Sequence, residues 1–476
     1  MLPVPSKLAL RLSCKQLNWE TDNLLGLKIQ LPIKDLFKVD CENFEWIKHI
    51  LIRKLTICNN ILDDHIHEEH LACASFLKNA VFTNLNRLSL SNLKIQGERA
   101  LASILIAVSS SSINPLRELS LGFVLYTAEE DNIMSSTPVE NYYNFPDLTT
   151  FNLNYKITDY INDSSDSDGS DSINANANRD CSYLKSFQQM CCPQLKCLSV
   201  SLWQEGCNPR THYLIWYLEL LEKFSSSLNY LKFQVISHQS YHNRREWEKN
   251  TATDERALNI GSQFKNLKEL DVDLSYALCD GNDGNRSTPV SGWMNLFYGM
   301  RTYLEKLTIY FPQSRVCELY SQYELLTKNS HPNLKYLSVV WNCFPLDFKL
   351  ITEISDQLET LELCSHAGFS KKVKNIDQIP LGLKKIVLFD LYEAARTVGD
   401  WDVFKKLISL KESLIVEYDH LISVEMAEYL GDFLTRPNFI WKGIDYENEG
   451  ELRAASEVCQ KFGISYGKLH RNLFYC

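Results

Sequence analysis

The 476-residue chain lacks the short signatures that mark many enzymes and nucleotide-binding proteins. It contains no GxxxxGK[ST] and no GxGxxG segment, so a phosphate-binding loop and a dinucleotide-binding fold have no sequence support. It also has no uncharged apolar run of the roughly 20 residues that a bilayer requires. The first 14 residues are interrupted by Lys7 and Arg11, which argues against a secretory signal. We therefore expect a protein that is not an enzyme, takes no cofactor and does not enter a membrane.

Positive charge is also scarce. The formal net charge is −10, which argues against general binding of nucleic acid and favours a basic protein partner. The 15 cysteines are odd in number and scattered, and no CxxC pair occurs among them. Reduced structural thiols indicate a reducing compartment, so the predicted location is the cytoplasm or the nucleus.

A short phrase dominates what is present: an apolar residue, two of any kind, an aliphatic or aromatic residue, one of any kind, and another apolar residue. It occurs eleven times, with first residues Ile52, Leu85, Leu116, Leu148, Leu195, Leu228, Leu267, Leu304, Leu334, Leu358 and Leu383. A phrase that recurs every few tens of residues is typical of a solenoid, and this one resembles the strand segment of leucine-rich repeats.

The residues around each phrase predict the architecture. Core leucines such as Leu88 and Leu90 alternate with polar residues, a period of two that indicates a strand with one buried face. Helical periodicity follows in segments such as 97–108, 213–224 and 293–304. Strand, helix, strand in succession predicts parallel pairing. The expected fold is therefore α/β, a horseshoe-shaped leucine-rich-repeat solenoid with its parallel sheet on the concave face and its helices on the convex face.

Composition divides the chain into three regions. Residues 1–50 are predicted to form an N-terminal capping segment, 51–400 the repeat array, and 401–476 irregular final repeats with a C-terminal cap. Residues 161–180 are rich in Ser, Asp and Asn and are predicted to be a disordered acidic insert.

The N-terminal segment carries a second family resemblance. The run LALRLSCKQL, residues 8–17, is similar to the closing helix of an F-box as found in many fungal proteins, and IRKLTI, residues 52–57, resembles the strand that often opens their repeat body. The resemblance implies a substrate receptor of a cullin-based ubiquitin ligase that binds a Skp-type adaptor through Leu8, Leu10, Leu12 and Leu17. An F-box is about twice as long as this segment, so either the sequence begins inside the F-box or the receptor has lost its ligase coupling.

Two clusters of polar residues have the composition of a possible functional site. The segment HIHEEH contains His65, His67 and His70, but the HExxH spacing of a zinc protease is absent and no further ligand has clear spacing. A solvated helix start explains it better, and no metal site is predicted. Arg244 and Arg245 lie in a charged loop that could serve a regulator of a nucleotide-hydrolysing protein. That regulator is the alternative from another functional class.

Strand alternation also identifies the surface predicted to bind a protein target. Positions between the core leucines point away from the helices, and several carry aromatic rings or acids. This composition fits a protein-binding surface, where aromatic anchors dominate the binding energy. The predicted binding residues are Trp203, Tyr230, Asp271, Asp273, Tyr310 and Tyr336. A leucine-rich-repeat scaffold without any ubiquitin-ligase coupling remains the alternative within the binding class.

Overall fold

The structure is a computed structural model of the whole chain. It describes residues 27–32, 52–58, 69–79, 85–110, 116–127, 143–159, 185–205, 212–238, 251–273, 290–310, 331–341, 346–365, 373–389, 398–419, 422–441 and 449–462. The chain divides into two compact units, the first Met1–Leu228 with Ile236–Glu246 and the second Asn229–Val235 with Trp247–Cys476.

The first unit is built on parallel strands joined by helical or irregular crossovers. Its described elements are β1 (Leu27–Pro32), β2 (Ile52–Cys58), α1 (Glu69–Asn79), β3 (Arg87–Gln96), α2 (Gly97–Ser110), β4 (Glu118–Thr127), β5 (Tyr143–Asn144), β6 (Thr150–Asp159), α3 (Lys185–Gln188), β7 (Met190–Cys191), β8 (Cys197–Glu205) and α4 (His212–Phe224). Its main sheet has the order β1-β2-β3-β4-β6-β8, and β5 pairs separately with β7.

The second unit repeats this plan. Its described strands are β9 (Tyr230–His238, of which 230–235 belong to this unit), β10 (Glu269–Asp273), β11 (Lys306–Tyr310), β12 (Tyr336–Trp341), β13 (Leu346–Asp347), β14 (Thr360–Ser365), β15 (Val373–Lys374), β16 (Lys385–Phe389), β17 (Ile415–Asp419) and β18 (Phe439–Trp441). Its α-helices are α5 (Thr251–Gln263), α6 (Val290–Met300), α7 (Phe348–Ile354), α8 (Val398–Leu410), α9 (Val424–Leu430) and α10 (Glu449–Phe462). Short 3₁₀ helices occupy Arg301–Tyr303, Ile376–Gln378 and Gly431–Thr435.

The main sheet of the second unit runs β9-β10-β11-β12-β14-β16-β17-β18, and β13 pairs with β15. Each neighbouring pair within this sheet is parallel and in register. The prediction of an α/β protein with a large parallel sheet is therefore confirmed.

Each of the eleven phrases coincides with a strand, as predicted. The second apolar residues of the phrases align across neighbouring strands and are at most 2% exposed. In the second unit this row contains Leu231, Leu270, Leu307, Leu337, Leu361 and Ile386, and Val416 of β17 continues it. In the first unit Leu55, Leu88, Leu119, Phe151 and Leu198 form the equivalent row. Each large side chain that is fully removed from water contributes about 1.5–3 kcal/mol, so these rows are the core of each unit.

The strands also begin with a repeated backbone pattern. One carbonyl accepts hydrogen bonds from two successive N–H groups of the next strand's first residues. The Asn229 carbonyl accepts from Lys268 and Glu269 at 2.9 and 3.1 Å, and the Lys268 carbonyl accepts from Glu305 and Lys306 at 2.8 and 2.9 Å. The same arrangement recurs at Asn86, Arg117, Thr149, Glu305, Lys335 and Glu359. Successive crossovers thus enter their strands with the same geometry.

Three aromatic contacts show which face of the strands the helices cover. Phe151 of β6 lies 6.0 Å from Phe187 of α3, measured between ring centroids. Phe233 of β9 lies 5.5 Å from Phe297 of α6, and Tyr418 of β17 meets the Phe404 ring of α8 edge-on at 4.9 Å. All three strand residues occupy core positions of the phrase or its equivalent. The helices therefore pack on the aliphatic face, which leaves the alternate positions on the opposite face.

The structure differs from the sequence prediction in three places. Strand β1 lies inside the region predicted as a capping segment, although Leu24, Leu27 and Ile29 already fit the phrase. The helix predicted over 293–304 ends at Met300 and continues as the 3₁₀ turn Arg301–Tyr303. Helices do not alternate strictly with strands, because the described part of the β14–β16 crossover contains a 3₁₀ helix and the two-residue strand β15.

Candidate protein-binding face

The polar face of the second unit's sheet is ordered in rows. The central row contains the single residue between the second and third apolar positions of each phrase, together with its equivalent in β17. In this unit the central row is Lys232, Asp271, Thr308, Ser338, Glu362, Val387 and Glu417. Two residues before it lies a second row with Tyr230, Glu269, Lys306, Tyr336, Thr360, Lys385 and Ile415. Because paired strands lie about 4.8 Å apart, neighbours in a row are in side-chain contact range.

Opposite charges meet along these rows. The ammonium of Lys232 lies 3.3 Å from a carboxylate oxygen of Asp271, and that of Lys306 lies 3.6 Å from Glu269. Lys385 pairs with Glu417, whose side chain is only 2% exposed. Pairs as exposed as Lys306 and Glu269 contribute little to stability. They fix the positions of long side chains on this face instead.

Tyr336 is the best-anchored ring on the face. Its hydroxyl donates a hydrogen bond to the carboxylate of Glu362. Glu362 lies in β14, which is the neighbour of β12 in the sheet. The Lys306 ammonium lies 5.1 Å from the centre of the ring, within the range of a cation–π interaction. Burial and the neighbouring Glu362 carboxylate raise the pKa of Tyr336, so the phenol stays protonated and able to donate.

Asp271 is a partly buried carboxylate with an incomplete set of hydrogen-bond donors. Its side chain is 20% exposed, and burial raises its pKa while the Lys232 ammonium lowers it. One oxygen, Oδ1, is buried and accepts no hydrogen bond from the residues that the structure describes. A carboxylate oxygen without a donor favours an additional cation or hydrogen-bond donor.

Asp273 is buried, whereas the sequence predicts an exposed side chain at this strand position. It is 5% exposed, and the Gln234 side-chain amide donates to its Oδ2 at 2.8 Å. The carboxylate thus links β9 to β10, and a Lys substitution there would disturb packing as well as binding. The other predicted residues of this unit, Tyr230, Tyr310 and Tyr336, are all half-buried. That these residues bind a protein stays a prediction.

Other predicted residues fall partly or wholly outside the described part of the chain. Trp203 lies in β8, paired with Lys156, but its side chain is not described. His70 lies in α1 with the same limit. Outside the described residues are Leu8, Leu10, Leu12, Leu17, His65, His67, Arg244, Arg245 and the acidic insert 161–180.

Within the described residues, no group of three or more His, Cys, Asp or Glu side chains is arranged to hold a metal ion. No helix among them is long and apolar enough to cross a membrane.

Sequence reasoning missed two features. Glu417 is a buried carboxylate on the polar face, and its place between Val416 and Tyr418 matches the central row of the other strands. The segment Gly463-Ile464-Ser465-Tyr466-Gly467 fits the GxSxG pattern of a serine hydrolase. However, it directly follows helix α10, whereas a nucleophile elbow follows a strand. The pattern therefore lacks the context that its chemistry needs.

Comparison with known proteins gives a likeness to solved structures. No family model matches the chain, and no curated protein matches it. The chain is similar to a structure described as "Crystal structure of Rad7 and Elc1 complex in yeast", with a TM-score of 0.32 and 15% sequence identity. The likeness covers 88% of this chain and 93% of that one.

Proposed function

We propose that the protein is a leucine-rich-repeat solenoid that binds another protein on the polar face of its sheet. We further propose that it acts as an F-box-type substrate receptor of a cullin-based ubiquitin ligase, in the cytoplasm or nucleus, and that it performs no catalysis itself. The observation that carries the proposal is the division of each strand into a buried aliphatic face and a polar face.

Two further features support the proposal, one for protein binding and one for the ligase role. In the second unit the polar face carries the rings of Tyr230, Tyr310 and Tyr336, and aromatic anchors contribute most to interface energies. The ligase role rests on the resemblance of the run at residues 8–17 to the closing helix of an F-box. The two parts of the proposal are therefore separable by experiment.

The ligase part predicts a complex between the full-length chain and a Skp-type adaptor. Replacing Leu10 and Leu12 together by Glu should weaken that complex at least roughly 30-fold, since the loss of even one buried hot-spot anchor costs about 2 kcal/mol. Co-purification and titration calorimetry measure the loss.

Arg11→Glu is the matched control, because it changes charge in the same segment without removing an apolar anchor. Circular dichroism of each variant shows whether the fold is intact. A folded wild-type chain that does not bind the adaptor would remove the ligase role and leave the scaffold alternative.

A further inference from the structure

The central rows of the two units differ in chemistry. In the first unit this row contains the uncharged residues Thr56, Ser89, Ser120, Asn152 and Ser199. Ser and Thr seldom contribute much binding energy at protein interfaces. In the second unit the same row carries three carboxylates, Asp271, Glu362 and the buried Glu417, and one lysine, Lys232.

We propose that the polar face of the second unit binds an extended, basic segment of a partner protein, whose Arg or Lys side chains, four residues apart, sit at Asp271 and Glu362. The inference rests on the proposed protein-binding function and names the chemistry of the partner. It assigns the binding energy to the second unit and gives the uncharged central row of the first unit no anchoring role.

The spacing of the basic residues follows from the sheet. Asp271 and Glu362 lie in the same row, three strands apart across β10, β11, β12 and β14. Three strand separations are about 14 Å, and four residues of extended chain span about 13 Å. Residues four apart in such a chain also point to the same side. An extended segment that crosses the strands at right angles therefore places both of its basic side chains on the two carboxylates.

The surface between the two carboxylates suits such a segment. Thr308 and Ser338 are the intervening members of the row, and both side chains are short. Tyr336 reaches from the neighbouring row to Glu362, so its ring lies beside the path. The Lys306 ammonium lies 5.1 Å from the centre of this ring, so the face of the ring is within cation–π range of a charged group.

Asp271 can receive one of the two basic groups through the exposed part of its side chain. The side chain is 20% exposed and its Oδ2 lies 3.3 Å from the Lys232 ammonium, whereas Oδ1 is buried and closed to a partner. A guanidinium group has several N–H donors in one plane, so it can share the carboxylate with Lys232 while it remains partly solvated.

The test uses short fluorescein-labelled peptides and the full-length chain at physiological ionic strength. The peptide Ser-Arg-Thr-Ser-Thr-Arg-Ser places its arginines four apart, and Ser-Thr-Arg-Arg-Thr-Ser-Ser has the same composition with adjacent arginines. Fluorescence anisotropy should show the first binding about fivefold or more tightly than the second, since one well-placed charge pair is worth about that factor.

Variants locate the binding on the sheet. Asp271→Asn combined with Glu362→Gln should weaken the first peptide about tenfold or more and abolish the spacing preference, because both charge-assisted hydrogen bonds are lost. The matched control combines Glu353→Gln and Glu457→Gln, two exposed helical carboxylates in the same unit, and changes the net charge equally. The control should shift the affinity less than about twofold, as expected for distant screened charges.

Equal affinity for both peptides, or equal weakening by the two double variants, overturns this inference and leaves the adaptor complex untouched. Peptide binding that shows the expected spacing and variant effects in a chain that binds no adaptor supports the inference and removes only the ligase role.

Discussion

Gly261→Ala should destabilise the second unit by about 2–3 kcal/mol, even though Ala is normally the better helix former by about 1 kcal/mol. A Cβ built on Gly261 lies 2.3 Å from the Leu296 carbonyl oxygen and 2.9 Å from the Gly299 Cα. A Cβ on Gly299 lies 2.7 Å from backbone atoms of Gly261 and from the Leu258 carbonyl oxygen. Helices α5 and α6 therefore touch backbone to backbone, and a methyl group must push them apart.

Urea unfolding followed by circular dichroism measures this effect. Ser262→Ala is the matched control, since Ser262 is the exposed neighbour in the same helix and loses only a hydrogen bond to the Asn259 carbonyl. We expect it to change stability by less than about 0.5 kcal/mol. Gly261→Ala and Gly299→Ala together should cost less than the sum of the two, because the first methyl already separates the helices. A stability gain in Gly261→Ala would show that the helices do not cross at these glycines.

Acidification should weaken the fold through one buried histidine. His331 is 3% exposed, and its pKa is lowered to about 4 by burial first and by the Arg301 charge second. The unfolded chain has the ordinary pKa of about 6.5, so below that pH the unfolded state binds more protons than the folded state. Stability should fall by about 3 kcal/mol between pH 6.5 and pH 4, and His331 should have no effect above that window.

The comparison that isolates His331 uses His331→Gln and His331→Phe. Gln cannot titrate but can still donate a hydrogen bond to the Arg301 backbone, as the histidine does. Phe is the residue that other strands of this chain have at the equivalent position, three residues before the first leucine of the phrase, as at Phe145 and Phe264. The raised pKa of Asp271 contributes with the opposite sign, so the quantity to measure is the difference in pH dependence between variant and wild type. Identical pH profiles would show that His331 is not buried in its neutral form.

The strands were predictable because the same alternation of apolar and polar residues recurs in repeat after repeat. An alternating aliphatic pattern fixes which side chains are buried, and one repeat cannot bury them without its neighbours. The signal for β1 was present as well, in Leu24, Leu27 and Ile29. The turn before the strands carries a further pattern: Phe145, Cys192, Phe264 and His331 each stand three residues before a phrase leucine. That pattern predicts a buried position and so predicts the buried histidine.

Features that depend on how elements meet were not predictable. Alternation places Asp273 on the polar face, but its burial depends on Gln234 of the neighbouring strand. The contact of Gly261 with Gly299 depends on the crossing of two helices whose sequences lie 38 positions apart. The charge pairs of the candidate face require the exact strand order, since Glu269 meets Lys306 only because β10 and β11 are neighbours in register.

The most direct test of the account places a photo-crosslinking amino acid, p-benzoylphenylalanine, at Tyr310 or Tyr336 on the polar face, and at Tyr303 or Tyr429 on the helical side. Each variant is expressed in cells, irradiated, and its crosslinked products are identified by mass spectrometry. Both polar-face positions should capture the same protein, and neither helical position should capture it. Capture of that protein from Tyr303 or Tyr429 alone would contradict the claim that this sheet face is the binding surface.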